Sequence, residues 1–174
     1  MLPIMLQAAK LIIKRYPDTR FILPFANEKL QKRHQGSVLE SGLPVKITLG
    51  RSEQAMGCSH LSILASGTAA LEAMMYGCVM VVVYKMAWLS YTMFNIFKHV
   101  EHFSLPNHLL DTPLIPELAQ EEVTAENIFR EVEEFLEKPD YMRDLETQFK
   151  KVALTLHKDS DVLAAKTILR VINA

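Results

Sequence analysis

Five consecutive apolar residues, Val79 to Val83, constrain this chain more than any other feature of it. A strand with one wet face alternates apolar and polar side chains, whereas a strand apolar at every position needs helices over both faces, as in a parallel sheet. The residues just upstream agree with that reading. They predict a strand over 61–65, a helix over 69–76 closed by Gly77, and a strand over 79–84, which is the spacing of a βαβ unit. The same alternation runs back to the amino terminus. It predicts a helix over 3–16 with Pro3 in its first turn, a strand over 20–25, a polar helix over 27–40 ended by Ser41-Gly42-Leu43-Pro44, a strand over 45–49 and a weak helix at 52–56. After residue 97 the chain reads as loop through Ser104-Leu105-Pro106-Asn107 and again over 113–116. Helices then return, with Thr124 capping 125–136, Asp140 starting one that runs to about Leu156, and Ser160 capping 161–172.

The expected fold is therefore α/β, a Rossmann-like parallel sheet flanked by helices, in one domain of 174 residues with terminal helices from about 140 to 174. Composition removes several functions. Nineteen Lys and Arg against twenty Asp and Glu leave a formal charge of −1, so the basic excess of a nucleic-acid binder is missing. Any bound anion must be held locally. Two cysteines, Cys58 and Cys78, make neither a disulfide framework nor a zinc site, which fits a reducing cytoplasm. Residues 1–10 lack the basic-then-apolar pattern of a signal peptide, and the longest apolar stretch, broken by Lys85, falls far short of the roughly 20 residues of a spanning helix. His99 and His102 flank Glu101 but lack a third short-range ligand, so no metal site is expected. The P-loop, the dinucleotide glycine fingerprint and the serine-hydrolase elbow are absent from the sequence.

The segment that carries chemistry is Leu61 to Met80, LSILASGTAALEAMMYGCVM. Open parallel sheets bind ligands beyond the carboxyl ends of their strands, where Ser66-Gly67-Thr68 is placed. Unbonded N–H groups at the start of the following helix, with the positive end of its dipole, hold phosphate oxygens without a lysine. Gly67 lets the backbone approach, and Ser66 and Thr68 add hydroxyl donors. Glu72 lies one turn after Thr68 on the same helical face, where a carboxylate can accept two hydrogen bonds from a vicinal diol. The competing reading is a helix cap with a surface acid. A capping box, however, needs its acid three residues after the cap, and Leu71 occupies that place after Thr68.

ASGTAALEAMMYGCVMVVVYKM, followed some twenty residues later by SLPN and then by PELAQEE, resembles the carboxyl-terminal half of the lipid-A-disaccharide synthase family, GT-B-type glycosyltransferases. The resemblance runs along nearly the whole chain. It implies a UDP-sugar donor-binding domain, with donor diphosphate on Ser66, Gly67 and Thr68 and the ribose on Glu72. It further implies Ser104 and Asn107 as donor-site lining, Gln120 and Glu121 near the donor sugar, and uracil near Gly50 and Arg51. Without it, Asn107 reads equally as a turn residue after Pro106, and Gln120 and Glu121 as a solvated helix start.

The implied substrates are UDP-2,3-diacylglucosamine and 2,3-diacylglucosamine 1-phosphate, with no cofactor, and the product is lipid A disaccharide 1-phosphate. Three departures matter. Lys85 stands where the family usually has Arg, which keeps the charge and loses the planar fork. The family's glycine-serine-arginine loop and preceding strand are not in this sequence. Neither is the amino-terminal acceptor domain, in which the general base is expected, so the fragment alone is expected to be inactive. The family also implies a place at the cytoplasmic side of the inner membrane and allows a homodimer in which residues 140–174 pack on a neighbour. Met86, Trp88, Leu89, Tyr91, Met93, Phe94, Ile96 and Phe97 serve either as core or as an interfacial helix touching the bilayer. Two other classes stay open on the residues: another UDP-sugar GT-B enzyme, such as the peptidoglycan N-acetylglucosaminyltransferase or an epimerase, and a non-catalytic interaction domain.

Overall fold

The computed structural model describes residues 1–65, 67–85, 102–156 and 160–172. The chain begins with α1 (Leu2–Arg15), β1 (Phe21–Phe25), α2 (Glu28–Glu40), β2 (Val45–Leu49) and α3 (Ser52–Cys58). It continues with β3 (Leu61–Ala65), α4 (Thr68–Met75) and β4 (Val79–Tyr84). The later part holds α5 (Leu105–Leu109), β5 (Glu117–Ala119), a 3-10 turn (Gln120–Glu122), α6 (Ala125–Glu137), α7 (Pro139–Leu156) and α8 (Ser160–Ile172).

Local chemistry accounts for the element ends. Asn27 Oδ1 accepts from Leu30 N at 3.0 Å at the start of α2, and Thr124 Oγ1 accepts from Asn127 N at 3.1 Å at the start of α6, so each cap satisfies an amide the helix cannot. Gly77, at φ 69, closes α4, with its N–H on Met74 O and that of Cys78 on Ala73 O. Two elements differ from the sequence expectation. Ser104-Leu105-Pro106-Asn107 is not a loop, because Pro106 sits in the first turn of α5, where its missing N–H costs nothing. Gln120 and Glu121 open a 3-10 turn and not an α-helix. They follow the short strand β5, and Gln120 is buried.

All strand pairs are parallel, as an α/β fold requires, but among the described residues they form two ladders instead of one. One is β1-β2 and the other β3-β4-β5. Val79, Met80, Val81, Val82 and Val83 are completely buried, while β3, apolar at four of five positions, stays only partly covered. The difference follows from position, since among the described residues β4 has strands on both sides and β3 on one. Each buried β4 side chain contributes about 1.5–3 kcal/mol relative to exposure. The core around β4 is closed by α4, α6 and α7, which supply Met74, Ile128, Leu145 and Phe149, all with no exposed surface. α1 packs along α6 through Ala8 and Ile12 and adds an Arg15 Nε–Glu133 Oε1 ion pair at 3.4 Å, an exposed contact of small value.

Candidate functional site

Register brings the ends of three strands level. Ala65 pairs with Val83, Val83 with Leu118, and Tyr84 with Ala119. The segments that leave β3 and β5 therefore emerge from one sheet edge, two strand spacings or roughly 10 Å apart. α4 starts at the β3 end and the Gln120–Glu122 turn at the β5 end. This is the carboxyl edge, the place where such sheets take ligands.

At the β3 end, Ser66 lies outside the described residues. Gly67 is the residue before α4, exposed, at φ 125 and ψ −152. A side chain there would meet open space but would be strained by the backbone, so glycine is required by conformation and not by crowding. Among the described residues no side chain caps α4; the Ala70 N–H bonds Gly67 O at 3.3 Å, and the amides before it can meet a ligand or water. Thr68 and Glu72 are both exposed, one turn apart. Glu72 is thus neither a cap nor sunk in an apolar layer. It borders an open groove of about 790 Å³ between α3, α4 and α7, with Glu53, Leu71, Met75, Tyr76 and Lys150 among the walls. That volume is within the range of small-molecule sites. The Glu53 carboxylate near it holds the Tyr76 phenol above its ordinary pKa, with partial burial and the charge of Glu72 adding to the effect.

At the β5 end, Ser104 and Asn107 are buried and their polar atoms are engaged. Glu117 accepts four hydrogen bonds, from Phe103 N at 2.7 Å, Ser104 N at 3.1 Å, Ser104 Oγ at 2.6 Å and Asn107 Nδ2 at 2.7 Å. Asn107 Nδ2 also donates to Ile115 O at 2.9 Å, and its Oδ1 accepts from Leu114 N and Ile115 N at 3.1 and 3.0 Å. Asn107 is thus not an ordinary turn residue. Sequence reasoning missed Glu117, whose partners lie 10–14 residues upstream. Its only signal was an acid preceding an apolar residue in PELAQEE. Gln120 has φ 50, a conformation that costs a residue with a side chain about 1–3 kcal/mol and clusters at functional sites. Glu121 is exposed, and Glu122 accepts from Ala119 N at 3.2 Å.

The remaining candidates fall differently. Gly50 and Arg51 follow β2 on the other ladder. Gly50, at φ 62, gives its N–H to Phe25 O at 2.8 Å, so a base there would meet its carbonyl or the exposed Arg51. Lys85 is exposed after β4. His99 and the aromatic and Met-rich stretch at 86–97 lie outside the described residues. Among the described residues no three His, Cys, Asp or Glu side chains gather as a metal site, and no helix is long and apolar enough to cross a membrane.

Comparison with known proteins gives one answer. The model of the family described as lipid-A-disaccharide synthetase matches residues 1–172. The lipid-A-disaccharide synthase of Histophilus somni strain 2336 is 35% identical over 177 residues, which cover 98% of this chain and 46% of that protein. That of Neisseria meningitidis strain Z2491 is 35% identical over 173 residues, 97% of this chain and 45% of the relative. That of Actinobacillus pleuropneumoniae strain AP76 is 36% identical over 175 residues, 97% and 44% respectively. The chain spans under half the length of these curated relatives. With a family match that runs from its first residue to within two of its last, the chain belongs to the lipid-A-disaccharide synthetase family.

Proposed function

We propose that this chain is the donor-nucleotide half of a lipid-A-disaccharide synthase and binds the UDP moiety of UDP-2,3-diacylglucosamine. The observation that carries the reading is the start of α4 behind Gly67, which no side chain among the described residues caps, with the exposed Glu72 one turn further along. Diphosphate oxygens would take the free amides of α4 together with Ser66 and Thr68, and Glu72 would accept the two ribose hydroxyls. Gly50 and Arg51 would meet the uracil. Gln120 and Glu121, at the same carboxyl edge, would face the donor sugar. Ser104 and Asn107 would shape that end through the backbone they fix, since their side chains are spent on Glu117 and its neighbours.

In the whole enzyme the sugar would pass to 2,3-diacylglucosamine 1-phosphate with inversion, giving lipid A disaccharide 1-phosphate and UDP. This half would contribute helix-terminal N–H groups that stabilise charge growing on the departing diphosphate. The general base would come from the acceptor half. Acylated substrates place the enzyme at the cytoplasmic face of the inner membrane, in peripheral contact with it. The SLPN and QEE blocks and the family match favour this acceptor over that of other UDP-sugar enzymes of the same fold.

Calorimetric titration of the chain with UDP tests the reading: saturable one-to-one binding is expected, and none would overturn it. Gly67→Ala should weaken UDP several-fold, because alanine at φ 125 forces the turn to shift by an energy of about 1–3 kcal/mol. Unchanged affinity in that variant would remove the turn from the site. The isolated chain should give no disaccharide when supplied with both acylated substrates, as donor and acceptor must be held together for transfer. Product detected by mass spectrometry would contradict the assignment of the base to the acceptor half.

A further inference from the structure

We propose that Glu117 is a positioning residue for the sugar end of the donor, an inference that rests on the donor-binding reading above. Its carboxylate joins two elements that share no backbone ladder. Oε1 takes the Ser104 amide and hydroxyl and the Asn107 amide group, and Oε2 takes the Phe103 N–H. All four partners are donors, so the site fits a carboxylate and excludes an amide side chain of the same shape, one end of which would present N–H to N–H. Hydrogen bonds to a charged acceptor are the strong ones, and here three of the four donor atoms belong to residues 103 and 104, at the entrance to α5.

Two things depend on this latch. α5 packs against α4, the helix that carries Glu72, so Phe103 and Ser104 at the entrance to α5 are fixed relative to the proposed nucleotide-binding helix. Three residues after Glu117 comes Gln120, held at φ 50 and buried, a conformation that persists only where the surroundings over-determine it. Asn107 tightens the same knot by accepting from Leu114 and Ile115 just before β5. The arrangement ties the start of α5 and the β5 exit into one rigid piece beside the candidate sugar position, with Glu117 itself touching no ligand.

The test compares UDP with UDP-N-acetylglucosamine on the same chain. Glu117→Gln should leave UDP affinity within about threefold and weaken UDP-N-acetylglucosamine about tenfold, since the nucleotide rests on α4 and the sugar on the piece that loosens. Ser104→Ala, which deletes only the 2.6 Å hydroxyl bond, should move the same ratio in the same direction by less. Equal losses for both ligands would make Glu117 a merely structural residue and overturn the proposal, as would no loss for either. Failure of the unmodified chain to bind UDP would instead sink the donor reading itself and this inference with it.

Discussion

Glu72→Ala is expected to weaken UDP binding about a hundredfold while leaving the melting temperature unchanged within two degrees or so. A carboxylate that accepts from two hydroxyls loses two charge-assisted hydrogen bonds, each worth about 1.5–3 kcal/mol, and every 1.4 kcal/mol is a factor of ten in affinity. The lower end of that range already gives the hundredfold figure. The fold should not notice, because Glu72 is exposed and the buried residues of α4 are Ala70, Ala73 and Met74. Calorimetry for affinity and differential scanning for stability read the two halves of the expectation separately. A change of less than threefold in affinity would remove the diol-binding role. Glu72→Gln, which keeps one acceptor oxygen without charge, should fall between the two.

The opposite pattern is expected of Phe149→Ala. Phe149 has no exposed surface and sits in the middle of α7, which packs on both α4 and β4. Removing a buried ring costs about 3–5 kcal/mol through lost transfer energy and the cavity left behind. Against a total stability of roughly 5–15 kcal/mol, that lowers the melting temperature by roughly 6–20 °C for a chain of this size. Measured well below the new midpoint, UDP affinity should stay within threefold, because no candidate ligand group is on the inner face of α7. A drop in affinity as large as that of Glu72→Ala would mean that α7 positions the groove it borders and does more than cover the core.

The elements around the candidate site were legible where their signal was local. Gly67 before a helix, Glu72 one turn in, Gly77 at the end and a run of apolar residues after it are all short-range patterns, and the structure has α4 and β4 at those places. Thr124 was readable as a cap for the same reason. What escaped was non-local or very short. β5 has three residues, and its middle one, Leu118, cannot declare a period by itself. α5 has five, opens on a Leu-Pro pair and hides behind a turn signature. Glu117 carried no local signal of its role, because the donors that define it come from a segment 10–14 residues away in sequence. The division of the strands into two ladders was equally hidden, since a strand's own residues name its faces but not its neighbours.

That division has a thermodynamic consequence. Among the described residues no ladder hydrogen bonds join β1-β2 to β3-β4-β5, and α3 packs against β1. The strands of the β1-β2 pair also keep solvent at several positions, where β4 admits none over five residues. Opening the pair therefore breaks only its own bonds, while opening β4 dismantles everything around it. Amide protons of β1 and β2 should accordingly trade with deuterium sooner than those of β4 in a hydrogen-exchange measurement. The Gly50-Arg51 corner, which hangs from β2, sits on the looser of the two units, whereas the α4 turn stands on the tighter one.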